Sequence, residues 1–284
     1  MTTVLVGARG WLGSRLALGL PGVAGVRASE VLDAGPGGPA ALARLGPDDV
    51  VVNAAGARGG DADLMERLNA LLPMLLAERA AAVGAHLVHL GSAAEYGLTQ
   101  DGVCREDGEP NPGSPYGRTK LAGTLACLAS GHATVLRLFN VADVPPQPGT
   151  PLADVAERLR VALASGTDVE LLSPGTVRDW VTREFVVASV RRAAELAPAG
   201  VYNVCSGIGV GMGEAVEAAL RQLGSRSRVV DLGVHPPSSV VGTPDRWRTV
   251  SGLRGDVTAE RLGQVLSATV TGADDTDEGK RTRW

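Results

Sequence analysis

Three features of the chain predict an α/β fold built on a Rossmann-type, doubly wound parallel sheet. Short apolar, β-branched runs alternate with longer helical patterns, a glycine-rich turn directly follows the first run, and aromatic residues make up only 3% of the chain. Strands separated by helices form right-handed βαβ units, and these give a parallel sheet covered on both faces. Alanine, glycine and valine supply most of the filling, which suits close packing of helices on a sheet.

The elements follow in order. "TVLVG" (3–7) reads as a buried strand, followed by a helix from Trp11 to Leu20. "VAGVRAS" (23–29) is a weaker second strand and "DDVVVNAAG" (48–56) another, after which one helix covers "DADLMERLNALLPMLLAERAAAVG". "AHLVHLGS" (85–92) is a strand, "YGRTKLAGTLACLAS" a helix and "ATVLRLFNV" (133–141) a single further strand. The proline-rich "ADVPPQPGTP" (142–151) marks a boundary. Beyond it come helices over 152–165, 183–196 and 212–223, the strand "GVYNV", and an irregular stretch, "SRVVDLGVHPPSSVVGTPDRW".

The domain organisation expected from this is a dinucleotide-binding domain over 1–145, to which 176–205 returns, and a smaller C-terminal substrate-binding cap made of 146–175 and 206–270. The polar 271–284 reads as a disordered tail.

Composition excludes several functions. A formal net charge of −4 argues against nucleic-acid or anionic-membrane partners, and no apolar run is long enough to span a bilayer. The start of the chain shows no basic region or cleavage signature, so a cytoplasmic location is expected. Cys104, Cys127 and Cys205 are widely spaced and odd in number, and His86 and His89 lie in a strand-like run with no ligand at metal spacing. Neither a disulfide framework nor a metal site is expected.

"VLVGARGWLGSRL" places Gly7, Gly10 and Gly13 between the first strand and the first helix. Glycine is needed where the turn is tight, where backbone approaches a pyrophosphate and where the helix meets the sheet. The helix N-terminus then offers N–H groups and partial positive charge to phosphate. Glu30, near the end of the second strand, sits where a carboxylate would hold the ribose hydroxyls of NAD(H). Arg27 and Arg9 fall where a guanidinium would take the 2′-phosphate of NADP(H), and two arginines tip the reading to NADP(H).

In "SPYGRTKLAG", Ser114 is a helix cap and Pro115 fits the first turn, so Tyr116 emerges at the start of a helix with Lys120 one turn on along the same face. A phenol of ordinary pKa, about 10, is a poor acid at neutral pH. A fixed ammonium nearby stabilises the phenolate and brings it into working range. Tyr116 then protonates a carbonyl oxygen as hydride reaches carbon, or runs the reverse. Ser92, at the carboxyl end of a strand, hydrogen-bonds that oxygen.

These blocks, with "LNALLPMLL", "HLGSAAEYG", "VLRLFNV", "GTVRDWV" and "GVYNVCSG" following in order, resemble those of the extended short-chain dehydrogenase/reductases, the nucleotide-sugar epimerase, dehydratase and ketoreductase group. The resemblance implies Ser92, Tyr116 and Lys120 as the catalytic triad. It places Gly7, Gly10, Trp11, Leu12 and Gly13 in the cofactor loop, and Asn53, Ala54, Ala55, Gly56 and Asn69 with the cofactor. Ser92, Ala93 and Asn140 would meet substrate and Arg178 would clamp its diphosphate, with bidentate guanidinium chemistry suited to phosphate. A homodimer paired through two helices, one bearing the Tyr–Lys motif, is also implied.

Dehydratases of the group carry an Asp–Glu pair after the hydroxyl residue, whereas Ala93 and Ala94 stand here, so dehydration is not expected. The epimerase-reductases' cysteine is missing too. What remains is an NAD(P)H-dependent reductase of a nucleotide-linked 4-keto-6-deoxy sugar, similar to the dTDP-4-dehydrorhamnose-reductase-like enzymes, or an NAD-dependent 4-epimerase, towards which "RLFNV" points. A non-catalytic dinucleotide-binding regulator is the more distant alternative. Glu95, atypical for its block, reads as a substrate contact or, preferably, an exposed strand-end charge.

Overall fold

The computed structural model describes residues 2–20, 22–35 and 37–272; most of the expected tail lies outside them. In chain order the elements are β1 (Thr3–Val6), α1 (Trp11–Gly19), β2 (Ala24–Val26), α2 (Ala28–Ala34), α3 (Ala40–Ala43), β3 (Val50–Asn53), α4 (Ala62–Glu66), a π turn (Arg67–Leu71) and α5 (Leu72–Val83). Next are β4 (His86–Ser92), a 3-10 turn (Ala93–Glu95), β5 (Val103–Cys104), α6 (Pro115–Ala129), β6 (Ala133–Leu138), β7 (Asn140–Ala142), α7 (Pro151–Ser165), β8 (Val169–Leu171) and β9 (Val177–Thr182). The chain ends with α8 (Arg183–Leu196), β10 (Gly200–Val204), β11 (Gly209–Gly211), α9 (Met212–Gln222), β12 (Val229–Asp231), β13 (Ser239–Gly242), α10 (Asp245–Ser251) and α11 (Ala259–Thr271).

The first compact unit comprises Met1–Phe139, Arg183–Cys205 and Gly242–Arg254. Its six-stranded sheet has the order β10-β6-β4-β3-β1-β2, parallel throughout. The strands read as unbroken apolar runs because helices cover both faces: α1 and α8 meet on one, α2, α5 and α6 on the other. Val4, Val51, Leu76 and Leu87 are fully buried in its core. The winding reverses between β1 and β3, so the turn after β1 lies at the switch point where open sheets of this kind bind ligands.

The second unit, Asn140–Thr182, Ser206–Val241 and the chain from Gly255, has its own core around Trp180, Leu159, Val216 and Leu266. In it β9 pairs with β7, β11 and β13, and β8 with β12.

Several boundaries differ from expectation. Residues 176–182 belong to the second unit, because β9 finds its partners there. The segment from Gly242 to Arg254 belongs to the first unit, where Trp247 is buried, donates its indole N–H to Ser189 Oγ at 3.1 Å and packs on the Tyr202 ring. The stretch read as irregular thus contains β12, β13 and the start of α10. The run 133–141 is two strands, parted at Phe139, whose N–H donates to Val204 O. The helix expected over 61–84 is interrupted by the π turn. Pro73 removes the N–H that would reach back to the Asn69 carbonyl, and Gly123 of α6 packs so close that a Cβ would come within 2.0 Å of that oxygen. Residues 271 and 272, expected in the tail, end α11 and cap it.

His86 and His89 are structural. Thr134 spends its hydroxyl proton on Pro198 O, 2.6 Å away, so His86 Nε2 is the donor in its 2.7 Å bond to Thr134 Oγ1. Burial lowers the His86 pKa from 6.5 to about 4, with His132 adding to the effect. Within that window the unfolded chain binds a proton that the folded chain refuses, so stability is complete above about 6.5 and is lost as pH falls towards about 4. The urea midpoint is expected to be lower at about pH 5 than at pH 7.5, reflecting a loss in unfolding free energy on the order of 1 kcal/mol. His86→Gln should narrow the difference; equal midpoints at the two pH values in the wild type would contradict the account.

Candidate active site

The turn after β1 is shaped by close approaches that only glycine permits. Gly7 has φ +87° and lies so near the next strand's end that a Cβ would stand 2.7 Å from Ala55 N. A Cβ on Gly13 would be 2.0 Å from Gly7 O, so α1 can begin this close to the sheet only with glycine there. No side chain caps α1 and no acidic residue sits in its first turn. Its amide dipoles therefore favour an anion at this end. Gly7, Arg9, Gly10, Gly25, Arg27 and Glu30 line one cleft of about 470 Å³. Arg9, Arg27 and Glu30, expected near one another, are thus brought together, with Arg27 Nε 3.8 Å from Glu30 Oε1. Trp11 and Leu12 are half-buried in α1, and Arg15 lies over the indole. The glycine cradle, the uncapped helix and a pair of arginines fit a dinucleotide.

Beneath this turn, Asn53 is fully buried at the end of β3. Its Oδ1 accepts the Ala55 N–H at 3.1 Å and its amide meets His89 Nδ1 at 3.2 Å. Burial, then the charge of Lys120, hold the His89 pKa well below its ordinary value, so the ring is neutral and can accept from Asn53. Ala54 and Ala55 follow as half-buried backbone against the loop. Asn69, expected on the cofactor, is fully buried and occupied by protein instead. It accepts the Ala57 N–H at 2.9 Å and donates to Ala57 O at 2.8 Å and Thr119 Oγ1 at 3.0 Å. From the π turn it pins the segment after Gly56 to α6, an arrangement often found at functional sites.

The elements that carry the three expected catalytic residues meet at one strand end, α6 packing on β4 and on the turn after Ser92. Ser114 Oγ caps α6 by accepting the Gly117 N–H at 3.0 Å. A Cβ on Gly117 would lie 2.4 Å from Ala94 O, so glycine lets the first turn of α6 rest on the turn that follows Ser92. Tyr116 is half-buried beside that contact, with the Arg58 guanidinium 5.5 Å from its ring centre. Among the described residues none hydrogen-bonds its hydroxyl. Lys120, one helical turn on, is 4% exposed, and its ammonium donates to Leu90 O, two residues before Ser92.

Glu95 corrects an expectation. It is fully buried rather than exposed, and its partner is Arg137 of β6, whose Nε donates to Glu95 Oε2 at 2.8 Å. Burial opposes the Arg137 charge, but Glu95 and Tyr96 more than offset it and its pKa is raised. Breaking such a buried pair from one side costs about 3–5 kcal/mol. Ser92 Oγ accepts the Ala94 N–H at 3.2 Å, and the Ser92 N–H donates to Glu95 Oε1 at 2.7 Å. This is a capping box of the form S-x-x-E. The pattern is visible in "SAAE", but it precedes a three-residue turn rather than the long helix such a box ordinarily announces. Ala93, expected on substrate, is buried in that turn.

In the second unit, Arg178 Nη1 donates to the carbonyls of Val177 and Ser238, each at 2.8 Å, and Nη2 to Ser238 Oγ at 2.9 Å. The plane of its guanidinium is therefore set by Val177 and by Ser238, the residue just before β13. Asn140, on the neighbouring β7, donates Nδ2 to Asp179 O at 2.9 Å. Asp179 is fully buried and accepts from Ser206 N and Oγ and from Gly207 N.

A glycine turn between the first strand and the first helix and a tyrosine–lysine helix on a doubly wound sheet mark the extended short-chain dehydrogenase/reductases, enzymes that use NAD(P). More narrowly, the chain belongs to the NAD dependent epimerase/dehydratase family, whose family model matches residues 3–205. It is 33% identical over 226 residues, 75% of this chain and 68% of the relative, to dTDP-6-deoxy-L-talose 4-dehydrogenase (NAD(P)(+)) of Kitasatospora kifunensis. Among solved structures, RMD from Pseudomonas aeruginosa complexed with NADPH superposes with a TM-score of 0.79 at 21% identity, over 96% of this chain and all (100%) of that one. UDP-glucuronic acid 4-epimerase from Bacillus cereus in complex with NAD gives 0.73 at 18%, over 96% and 99%. At these identities the structures share the fold. No helix among the described residues is long and apolar enough to cross a membrane.

Proposed function

We propose that the protein is an NADP(H)-dependent reductase of a nucleotide-linked 4-keto-6-deoxy sugar. The observation that supports this reading is the packing of α6, which carries Tyr116 and Lys120, on the end of β4 at Ser92, next to a turn whose Ala93 and Ala94 offer no acid or base for eliminating water. The relative's printed activity, run backwards, is reduction at a 4-keto carbon.

The nicotinamide, when bound, supplies the hydride. Ser92, its oxygen already accepting from Ala94, donates its own proton in a hydrogen bond to the sugar's carbonyl oxygen. That oxygen gains negative charge as carbon is reduced, and Tyr116 gives it a proton. Lys120, buried beside the tyrosine's helix turn, stabilises the phenolate left behind and holds the cofactor ribose. Arg178 and Asn140 are assigned to the substrate diphosphate, which suits a guanidinium already fixed in plane. Arg9 and Arg27 are assigned to the 2′-phosphate. A homodimer through α5 and α6 is part of the same reading, and Met74 and Leu125 on those helices are 37% and 55% exposed.

A second reading, an NAD-dependent 4-epimerase, is favoured by Glu30, a ribose-hydroxyl acceptor lining the same cleft as Arg27. One experiment separates the two: purified protein is offered nucleotide 4-keto sugars with NADPH and, separately, NADH. The reductase oxidises NADPH stoichiometrically and prefers it to NADH by about tenfold or more, a preference that Arg27→Ala should erode. No net oxidation, with NAD released on denaturing the protein, identifies the epimerase.

A further inference from the structure

The chemistry above does not use the buried ion pair behind Ser92. Glu95 turns one carboxylate oxygen to the Ser92 N–H at 2.7 Å and the other to Arg137 Nε at 2.8 Å. The Arg137 guanidinium in turn lies 4.4 Å from the Tyr96 ring centre, and the Tyr96 hydroxyl donates to Asn203 Oδ1 of β10 at 2.7 Å. The contacts thus run from β10 and β6 to the backbone of Ser92.

The strand is shaped around the carboxylate. A Cβ at position 91 would stand 2.8 Å from Glu95 Oε1 and 3.1 Å from Val135 Cγ1, so Gly91 leaves the room in which Glu95 reaches the next residue's N–H. A three-residue turn does not need a buried charge for its stability, since an apolar pair of similar volume is often as stable as a buried ion pair. What the carboxylate adds is direction. A charge-assisted bond holds the Ser92 backbone while the Ala94 N–H holds the Ser92 oxygen. The oxygen is thus fixed in place and one of its lone pairs is already taken, which narrows the directions open to its proton.

We infer that Glu95, backed by Arg137, is a positioning residue for Ser92, fixing the direction in which its hydroxyl is presented to the carbonyl oxygen of the substrate. This rests on the proposed role of Ser92. Small misplacement of a reacting group costs up to about a hundredfold in rate, so a loss of about tenfold in kcat is expected when the anchor alone is removed.

Two variants test it. Glu95→Gln leaves one acceptor oxygen where two donors point, and Glu95→Val combined with Arg137→Met removes both charges so that neither is stranded. Each is made in the wild type and in Ser92→Ala, with kcat, KM, cofactor Kd, melting temperature and hydrogen exchange of the Ser92 amide measured. In the wild-type background kcat is expected to fall about tenfold, with KM and cofactor Kd changed by less than about twofold, and the Ser92 amide to exchange about tenfold faster or more. In Ser92→Ala the same changes should have almost no further effect on kcat, because they act through the hydroxyl. An unchanged kcat, or an equal loss with and without the serine, would overturn the inference. If the wild type turns over none of the sugars, the substrate reading fails separately. The Ser92 amide still decides this one: unchanged protection in a folded Glu95→Val/Arg137→Met protein overturns it, and faster exchange supports it.

Discussion

Tyr116→Phe is expected to lower kcat by about a thousandfold while leaving the protein folded and able to bind its dinucleotide. The ring stays, and with it the packing at the start of α6 and the Arg58 contact 5.5 Å away. Only the hydroxyl is lost, and no described residue hydrogen-bonds it, so stability should change by no more than about 0.5 kcal/mol. Steady-state turnover, cofactor fluorescence titration and melting temperature together separate the outcomes. Activity within about tenfold of wild type would remove Tyr116 from the chemistry. Loss of cofactor binding along with activity would instead make the phenol a structural contact.

The residues of this site were legible in the chain to different degrees, for physical reasons. The glycine turn and the Tyr116–Lys120 pair depend on local spacing: a strand ending just before Gly7, a helix capped at Ser114, and one turn between two side chains. Such relations survive without knowledge of the rest of the fold. Glu95 was misjudged because its environment is set by Arg137, which lies 42 residues away in the chain and meets it only once β4 and β6 are side by side. Asn69 was placed on the cofactor because its block suggested it. The π turn, where Pro73 withholds its N–H from the Asn69 carbonyl and Gly123 packs against it, directs the side chain to Ala57 and Thr119, and the second of these contacts is tertiary. The same holds for β13, four residues that pair with β9, and for the return of Trp247 to the first unit.

Lys120 and Glu95 approach the same strand end in opposite ways. Both are buried charges close to Ser92. Glu95 is compensated within the protein by Arg137, whereas Lys120 gives one bond to the Leu90 carbonyl and stands near a neutral His89. A buried ammonium that no carboxylate among the described residues neutralises costs stability, and proteins retain such groups where function needs them.

Lys120→Met is therefore expected to separate stability from activity. Methionine matches the length of the lysine stem and removes the desolvated charge, while leaving the Leu90 carbonyl without its partner. These effects oppose each other, the second being worth about 1 kcal/mol, so the melting temperature should stay close to that of the wild type or rise. Turnover should fall by about a hundredfold or more, since the phenolate of Tyr116 loses its neighbouring cation. Cofactor affinity should weaken about tenfold as the ribose loses its anchor. Calorimetry on the same preparation used for kinetics makes the comparison. A variant both less stable and inactive would mean that Lys120 supports the fold at this point, and one that is stable and fully active would remove it from the mechanism. A stable protein that binds its cofactor poorly and turns over slowly is the outcome that joins the buried ammonium of α6 to the chemistry at Ser92.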